Sequence, residues 1–186
     1  MTRANGTMVL SPIGLLPEEL LSEVATAVTR AFGCHTAVVY LLENADFAFD
    51  ALRHQYHSTA ILERLAASSP VHADKILGLT TVDLFIPILT HVFGEAQLGG
   101  RACVVSTCRL LLPASPLPGG SRYQRISKEA IHELGHTFDL RHCRDPACVM
   151  HFCRSENDVD RKSSRFCRYC QVLLDDVLTL HRSNPG

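Results

Sequence analysis

The chain has no tryptophan, and aromatic residues make up only 6% of its 186 positions. Its core must therefore be built mainly from aliphatic side chains, and with 46% hydrophobic residues there are enough of them. Excess charge of either sign is also missing. Eighteen Lys and Arg stand against nineteen Asp and Glu, a net charge of −1. No basic surplus is available to neutralise phosphates, so neither nucleic acid nor an anionic membrane is expected as a partner. Long apolar runs are absent. The longest, "LFIPIL" (84–89), falls far below the roughly 20 residues of a membrane-spanning helix. The opening "MTRANGTMVLSPIG" holds an apolar run of three residues (8–10), too short for a secretory signal. The expected setting is the cytoplasm, where thiols stay reduced. Repeats and low-complexity tracts are absent as well. The length suits one domain, here expected to be a monomer, that buries roughly 70% of its unfolded surface without staples. Eight cysteines therefore need an explanation other than disulfides.

What is present reads as alternating strands and helices. Residues 7–10 form a short first strand. "PEELLSEVATAVTRAF" (17–32) places Leu20, Leu21, Val24, Ala27, Val28 and Ala31 at helical spacing, with Pro17 at the start and Gly33 at the stop. "TAVVYLL" (36–42) is rich in β-branched residues and predicts a buried strand. A second helix is expected over 57–67 and a third strand over "KILGLTTVDLF" (75–85). This β-α-β-α-β order implies right-handed crossovers and a mainly parallel, twisted sheet. The pattern then changes. "FGEAQLGGRACVVST" predicts two short strands around Gly99 and Gly100, the first (94–97) at an antiparallel sheet edge. "LPASPLPGGS" (112–121) is expected to be a loop leading into the helix that carries the motif described next, and "CRSENDVDRKSS" (153–164) reads as a solvated loop. A last helix begins near Arg168. The fold class is α/β (α+β), with packed helices around the sheet.

"HELGHTFDLRHCRDPACVM" (132–150) carries the chemistry. His132 and His136 stand four apart, so on a helix both rings share one face and reach one zinc at about 2.0–2.1 Å. Glu133 lies about 100° round the helix, where it touches a metal-bound water without binding the metal itself. His142 would fall on the wrong side of an unbroken helix. If the helix ends near Asp139, the chain turns back and offers His142 as third ligand, leaving a fourth position open for water. Glu156, twenty residues after His136, is a rival third ligand. Gly135 costs this helix about 1 kcal/mol against Ala. Close approach of another backbone, or simple tolerance, would account for it.

Cys143-x4-Cys148 and Cys167-x2-Cys170 make two further pairs. Four thiolates close a tetrahedral zinc with no open position, so this second site is structural. Cys143 adjoins His142, so the closed site would also fix where the third histidine stands. Cys153 is an alternative fourth thiolate. A thioredoxin-like redox role for the C-x-x-C pair lacks that fold's preceding strand. Otherwise Cys153, like Cys34, Cys103 and Cys108, is expected to be a buried or idle thiol.

His132, Glu133, His136 and His142 match the metzincin pattern H-E-x-x-H-x-x-G-x-x-H. The continuation through Cys143, Cys148, Met150, Cys167 and Cys170 resembles the archaemetzincins, a family of zinc metallopeptidases. The motif-bearing part, 127–170, covers about a quarter of the chain. The resemblance implies a metzincin-like fold with an active-site helix, peptide-bond hydrolysis, and a peptide or protein substrate. It also implies that Met150 packs beneath the catalytic zinc as the Met-turn. There are two departures. Asp139 stands where the pattern has a glycine at a positive-φ turn, which Asp enters more readily than most residues. Sixteen residues separate Met150 from Cys167, one fewer than the pattern, and such a loop change is cheap.

The chain is thus expected to bind two zinc ions, with residues 1–139 forming a lobe with the sheet and active-site helix and 140–186 a small zinc-stapled subdomain. Zinc would activate a water, with Glu133 as its base, and His151 and Tyr123 are candidates for stabilising the oxyanion. The alternative is a zinc-stabilised binding module with little or no peptidase activity.

Overall fold

A computed structural model describes residues 6–111 and 123–183, with side chains as far as residue 180. The proline-rich loop at 112–121 lies outside the described residues. In chain order the elements are β1 (Thr7–Ile13), α1 (Glu18–Phe32), β2 (His35–Val38), β3 (Phe49–Asp50), β4 (Gln55–His57), α2 (Ser58–Ala67), β5 (Lys75–Thr80), β6 (Leu84–Phe85), β7 (Gly94–Ala96), β8 (Ala102–Ser106), α3 (Gln124–Thr137), α4 (Glu156–Arg161) and α5 (Arg168–Ser183). A 3₁₀ turn, Asp46–Ala48, precedes β3.

The main sheet has the order β2-β1-β5-β8-β7. All its pairings are parallel except β7 with β8, which is antiparallel and places β7 at the edge. Side chains alternate between two cores, as strand geometry demands. Met8, Leu10, Leu77, Leu79, Cys103 and Val105 face α1 and α3. Val9, Ile76, Ala102 and Val104 face α2. The chain crosses the sheet one way through α1 and back through α2. Right-handed crossovers then require the two helices to cover opposite faces, as they do.

Three expectations change. The strand predicted over 75–85 is two elements. β5 ends at Thr80, and β6 joins a separate three-stranded sheet of order β3-β4-β6. A uniform apolar run does not reveal where a strand leaves its sheet. The strand predicted as buried over 36–42 is the short edge strand β2, with Val38 exposed. β-Branched content reflects strand preference and cannot distinguish a central from an edge position. The expected loop around Glu156 is a helix. Ser155 caps α4 by accepting from the Asp158 N–H, while the Asp158 carboxylate accepts from the Ser155 N–H. This S-x-x-D box is legible in the sequence, but it precedes only one apolar residue, the buried Val159.

Candidate metal centre

α3 packs against β8 and β7 with almost every residue buried, including the polar ones. It carries His132 and His136 one turn apart. At its C-terminus Phe138 caps the last turn, and Asp139 follows in the left-handed region at φ 62°. That one residue reverses the chain, and the N–H groups of Asp139 and Leu140 close on the carbonyls of His136 and Gly135. The reversal brings His142 back to the other two rings. The three ligand atoms lie within 4.8 Å of one another, and the ring centroids are 4.7, 4.9 and 5.3 Å apart.

Hydrogen bonding shows which edges of the rings face inward. His132 Nδ1 lies 2.9 Å from the Val149 carbonyl and His136 Nδ1 2.7 Å from the Leu140 carbonyl. A carbonyl only accepts, so each Nδ1 carries the proton and each Nε2 presents a lone pair. The two Nε2 atoms are 3.1 Å apart. Two lone pairs facing at that distance repel unless a cation stands between them. The spacing is close to the roughly 3.3 Å edge of a tetrahedron with bonds of about 2.0–2.1 Å. Burial pulls all three imidazoles below their ordinary pKa, His132 most strongly, which favours the neutral form that ligates metal. Glu156, the rival ligand, opens α4 and is not in this group.

Glu133 is 7% exposed. Burial pushes its carboxyl well above the usual carboxylate range. Glu129 adds to the rise, Lys162 opposes it, and Glu95 adds again. β7 runs directly beside it. A Cβ at Gly94 would stand 2.7 Å from Glu133 Cγ and 2.6 Å from the Val104 carbonyl, so only glycine allows the edge strand so near the helix. The Glu95 carboxylate takes hydrogen bonds from Ser58 and Thr59 at the start of α2 and holds β7 in place. The hairpin beyond β7 is tied down too, because the Gly99 N–H donates to the His136 carbonyl at 2.9 Å. Met150 is fully buried, and its sulfur is the reason for Gly135: a Cβ there would lie 2.5 Å from Sδ. The close approach anticipated from the sequence is real, but it comes from a side chain and not from a backbone.

Cys143, Cys148, Cys167 and Cys170 also bring their sulfurs within 4.8 Å of one another. Cys143 and Cys167 Sγ are 3.7 Å apart, far beyond a disulfide bond and close to the roughly 3.8 Å edge of a zinc–thiolate tetrahedron. Cys153 is outside the cluster, with its Sγ on the His151 carbonyl. The two groups are joined by short backbone links. Cys143 N–H donates to the Met150 carbonyl at 2.9 Å, and His151 Nδ1 donates to the Cys143 carbonyl at 3.0 Å. His151 is thereby engaged structurally, and Tyr123 is buried in the core at the start of α3.

The model of peptidase family M54 matches residues 18–176. This chain belongs to family M54, the archaemetzincins. It is 46% identical over 129 residues to the archaemetzincin of Methanopyrus kandleri, covering 69% of this chain and 71% of that protein. The crystal structure of the M. kandleri archaemetzincin superposes with a TM-score of 0.79 at 36% identity, covering 94% of this chain and 96% of that one. A zinc-dependent peptidase from Methanocorpusculum labreanum superposes equally well, with a TM-score of 0.79 at 27% identity, over 91% of this chain and all of that one. As an M54 member the protein is a zinc metallopeptidase that acts on peptides or proteins. Among the described residues no helix is long and apolar enough to cross a membrane.

Sequence reasoning overlooked what surrounds the motif. Lys75 is buried, and its ammonium donates to the Thr137 carbonyl at 2.6 Å and the Gly100 carbonyl at 2.7 Å. It thus caps α3 and the β7–β8 turn together. α4 docks on α3 through paired Arg125–Asp160 hydrogen bonds of 2.8 and 2.6 Å. A lysine opening a strand, or an Arg in a polar helix turn, carries no sequence signal of such a role.

Proposed function

We propose that His132, His136 and His142 hold the catalytic zinc of this peptidase, with Glu133 as the general base. The inward convergence of the three imidazoles beside a buried carboxyl carries this reading. The bound zinc would supply a water acidified toward neutrality and a Lewis acid for the scissile carbonyl. Glu133 takes the proton of the attacking water and later returns it to the leaving amine. A carboxyl whose proton affinity burial raises suits both roles, since it must take a proton and then give it back. The free edge of β7 receives the substrate as an added antiparallel strand and sets the scissile bond alongside Glu133. Gly94 keeps that edge close to the helix, and Met150 supports the histidine rings from below.

Cys143, Cys148, Cys167 and Cys170 hold a second, structural zinc, giving two ions per chain. On this reading residues 140–186 form a zinc-stapled subdomain beside a lobe of residues 1–139, and the protein works as a cytoplasmic monomer. The test is Glu133→Ala. Removing a general base lowers turnover about 10²- to 10⁴-fold. Native mass spectrometry should still find two zincs. Undiminished turnover would overturn the assignment of Glu133, and a single zinc in the wild-type protein would overturn the count.

A further inference from the structure

Lys162 is the largest fully buried side chain among the described residues, at 1% exposure. Its Nζ stands 2.7 Å from Glu129 Oε1, a charge contact without hydrogen-bond alignment. The same Nζ lies 3.4 Å from the His151 carbonyl and 3.4 Å from His132 Nδ1. Three segments therefore meet at one ammonium: α3, the turn at 149–151, and the end of α4. An ion pair taken wholly out of water gives up more hydration than an apolar pair of the same volume, so stability alone does not call for it. The pair's contribution is geometric. An ammonium has three donors and no acceptor. The nearer Val149 carbonyl, at 2.9 Å, takes the His132 Nδ1 proton and leaves Nε2 as the inward lone pair, while the ammonium, 3.4 Å from the same nitrogen, packs against that edge of the ring. Reaching the His151 carbonyl, the ammonium also ties the turn bearing Val149 and Met150 to α3. Docking of α4 does not depend on this pair, because Arg125 holds Asp160 and Lys128 donates to the Val159 and Asp160 carbonyls.

We propose that Glu129 and Lys162 are a positioning pair for the metal site, locking the His132 ring and the 149–151 turn against each other so that Nε2 stays aimed at the shared centre. The proposal rests on His132 being a zinc ligand. It is tested on zinc-loaded full-length protein carrying Lys162→Met with Glu129→Leu, an apolar pair of similar volume. Three quantities are read: the chelator concentration that removes the histidine-bound zinc, the melting temperature of metal-stripped protein, and kcat and KM on a quenched fluorescent peptide mixture. The melting temperature should hold or rise. The zinc should leave at a roughly 10- to 100-fold lower chelator concentration, and kcat should fall by a similar factor with KM little changed. Wild-type zinc retention and kcat would overturn the proposal. So would an equal loss in Arg125→Met, which breaks a helix clamp remote from the ring. If the double variant does not fold, Glu129→Gln gives the zinc-retention and kcat readings, because it removes the charge and keeps the shape, while its melting temperature should fall as Lys162 loses its buried partner. His136→Ala separates the two levels. If that variant keeps its full zinc content, the histidine assignment itself has failed and the proposal falls with it. If it loses one zinc while the apolar pair holds that zinc to the wild-type chelator concentration, only the positioning role is refuted.

Discussion

Gly135 and Met150 make opposite demands on α3, and the structure fixes the sign of each. Replacing Gly135 with Ala should gain about 1 kcal/mol of helix propensity. The new Cβ would stand 2.5 Å from Met150 Sδ and 3.0 Å from Cε, inside an ordinary contact of about 3.5–4.0 Å. Met150 is fully buried, so the thioether must move by roughly an ångström into an occupied core, an overpacking cost of about 1–3 kcal/mol. The net expectation for Gly135→Ala is a loss of up to about 2 kcal/mol. In a Met150→Ala background the obstacle is gone. That change costs about 2–5 kcal/mol by itself, but Gly135→Ala should then become stabilising by up to about 1 kcal/mol. The double-mutant cycle thus predicts a coupling of about 1–3 kcal/mol with a change of sign. Urea unfolding of the four zinc-saturated proteins measures it. Equal effects of Gly135→Ala in both backgrounds, within about 0.3 kcal/mol, would refute the packing argument.

Asp139 holds φ 62°, a conformation that glycine adopts freely, so Asp139→Gly should stabilise the protein by up to about 1 kcal/mol, read as a rise of a few degrees in Tm. Asp139→Val should instead weaken zinc retention at the histidine group, because the chain reversal that delivers His142 becomes strained. Cys148→Ser should leave one zinc by mass spectrometry and also loosen the remaining ion, since Cys143 is bonded to the turn beneath the histidines; undiminished retention would show the two sites to be independent. Burial lowers the Lys75 pKa to about 8, against an ordinary 10.5. The unfolded chain therefore binds more protons between those values, and this group makes stability rise with pH from about 8 to 10.5. Lys75→Met should flatten that rise by at most about 2 kcal/mol between pH 7.5 and 9.5, and by less where water screens the charge, as read by urea unfolding at those two pH values.

The local rules were enough to write down most of this protein's elements. Helical spacing with Pro17 and Gly33 delimits α1, and the β-α-β-α-β order with a Gly99–Gly100 turn implies a parallel sheet with an antiparallel edge. The spacings of His132, His136, His142 and the four cysteines single out the residues that the fold then brings into two tight groups. Those signals are local because each depends on helix pitch, turn chemistry or ligand count within a few tens of residues. Tertiary structure alone decided the rest. That β6 leaves the main sheet, that β2 is an edge, that Met150 reaches Gly135, and that Lys75 and the Glu129–Lys162 pair lie sealed beneath the active-site helix all depend on contacts between distant segments. A charged residue is written the same way in the sequence whether it meets water or a buried partner, and only the packing of the chain determines which.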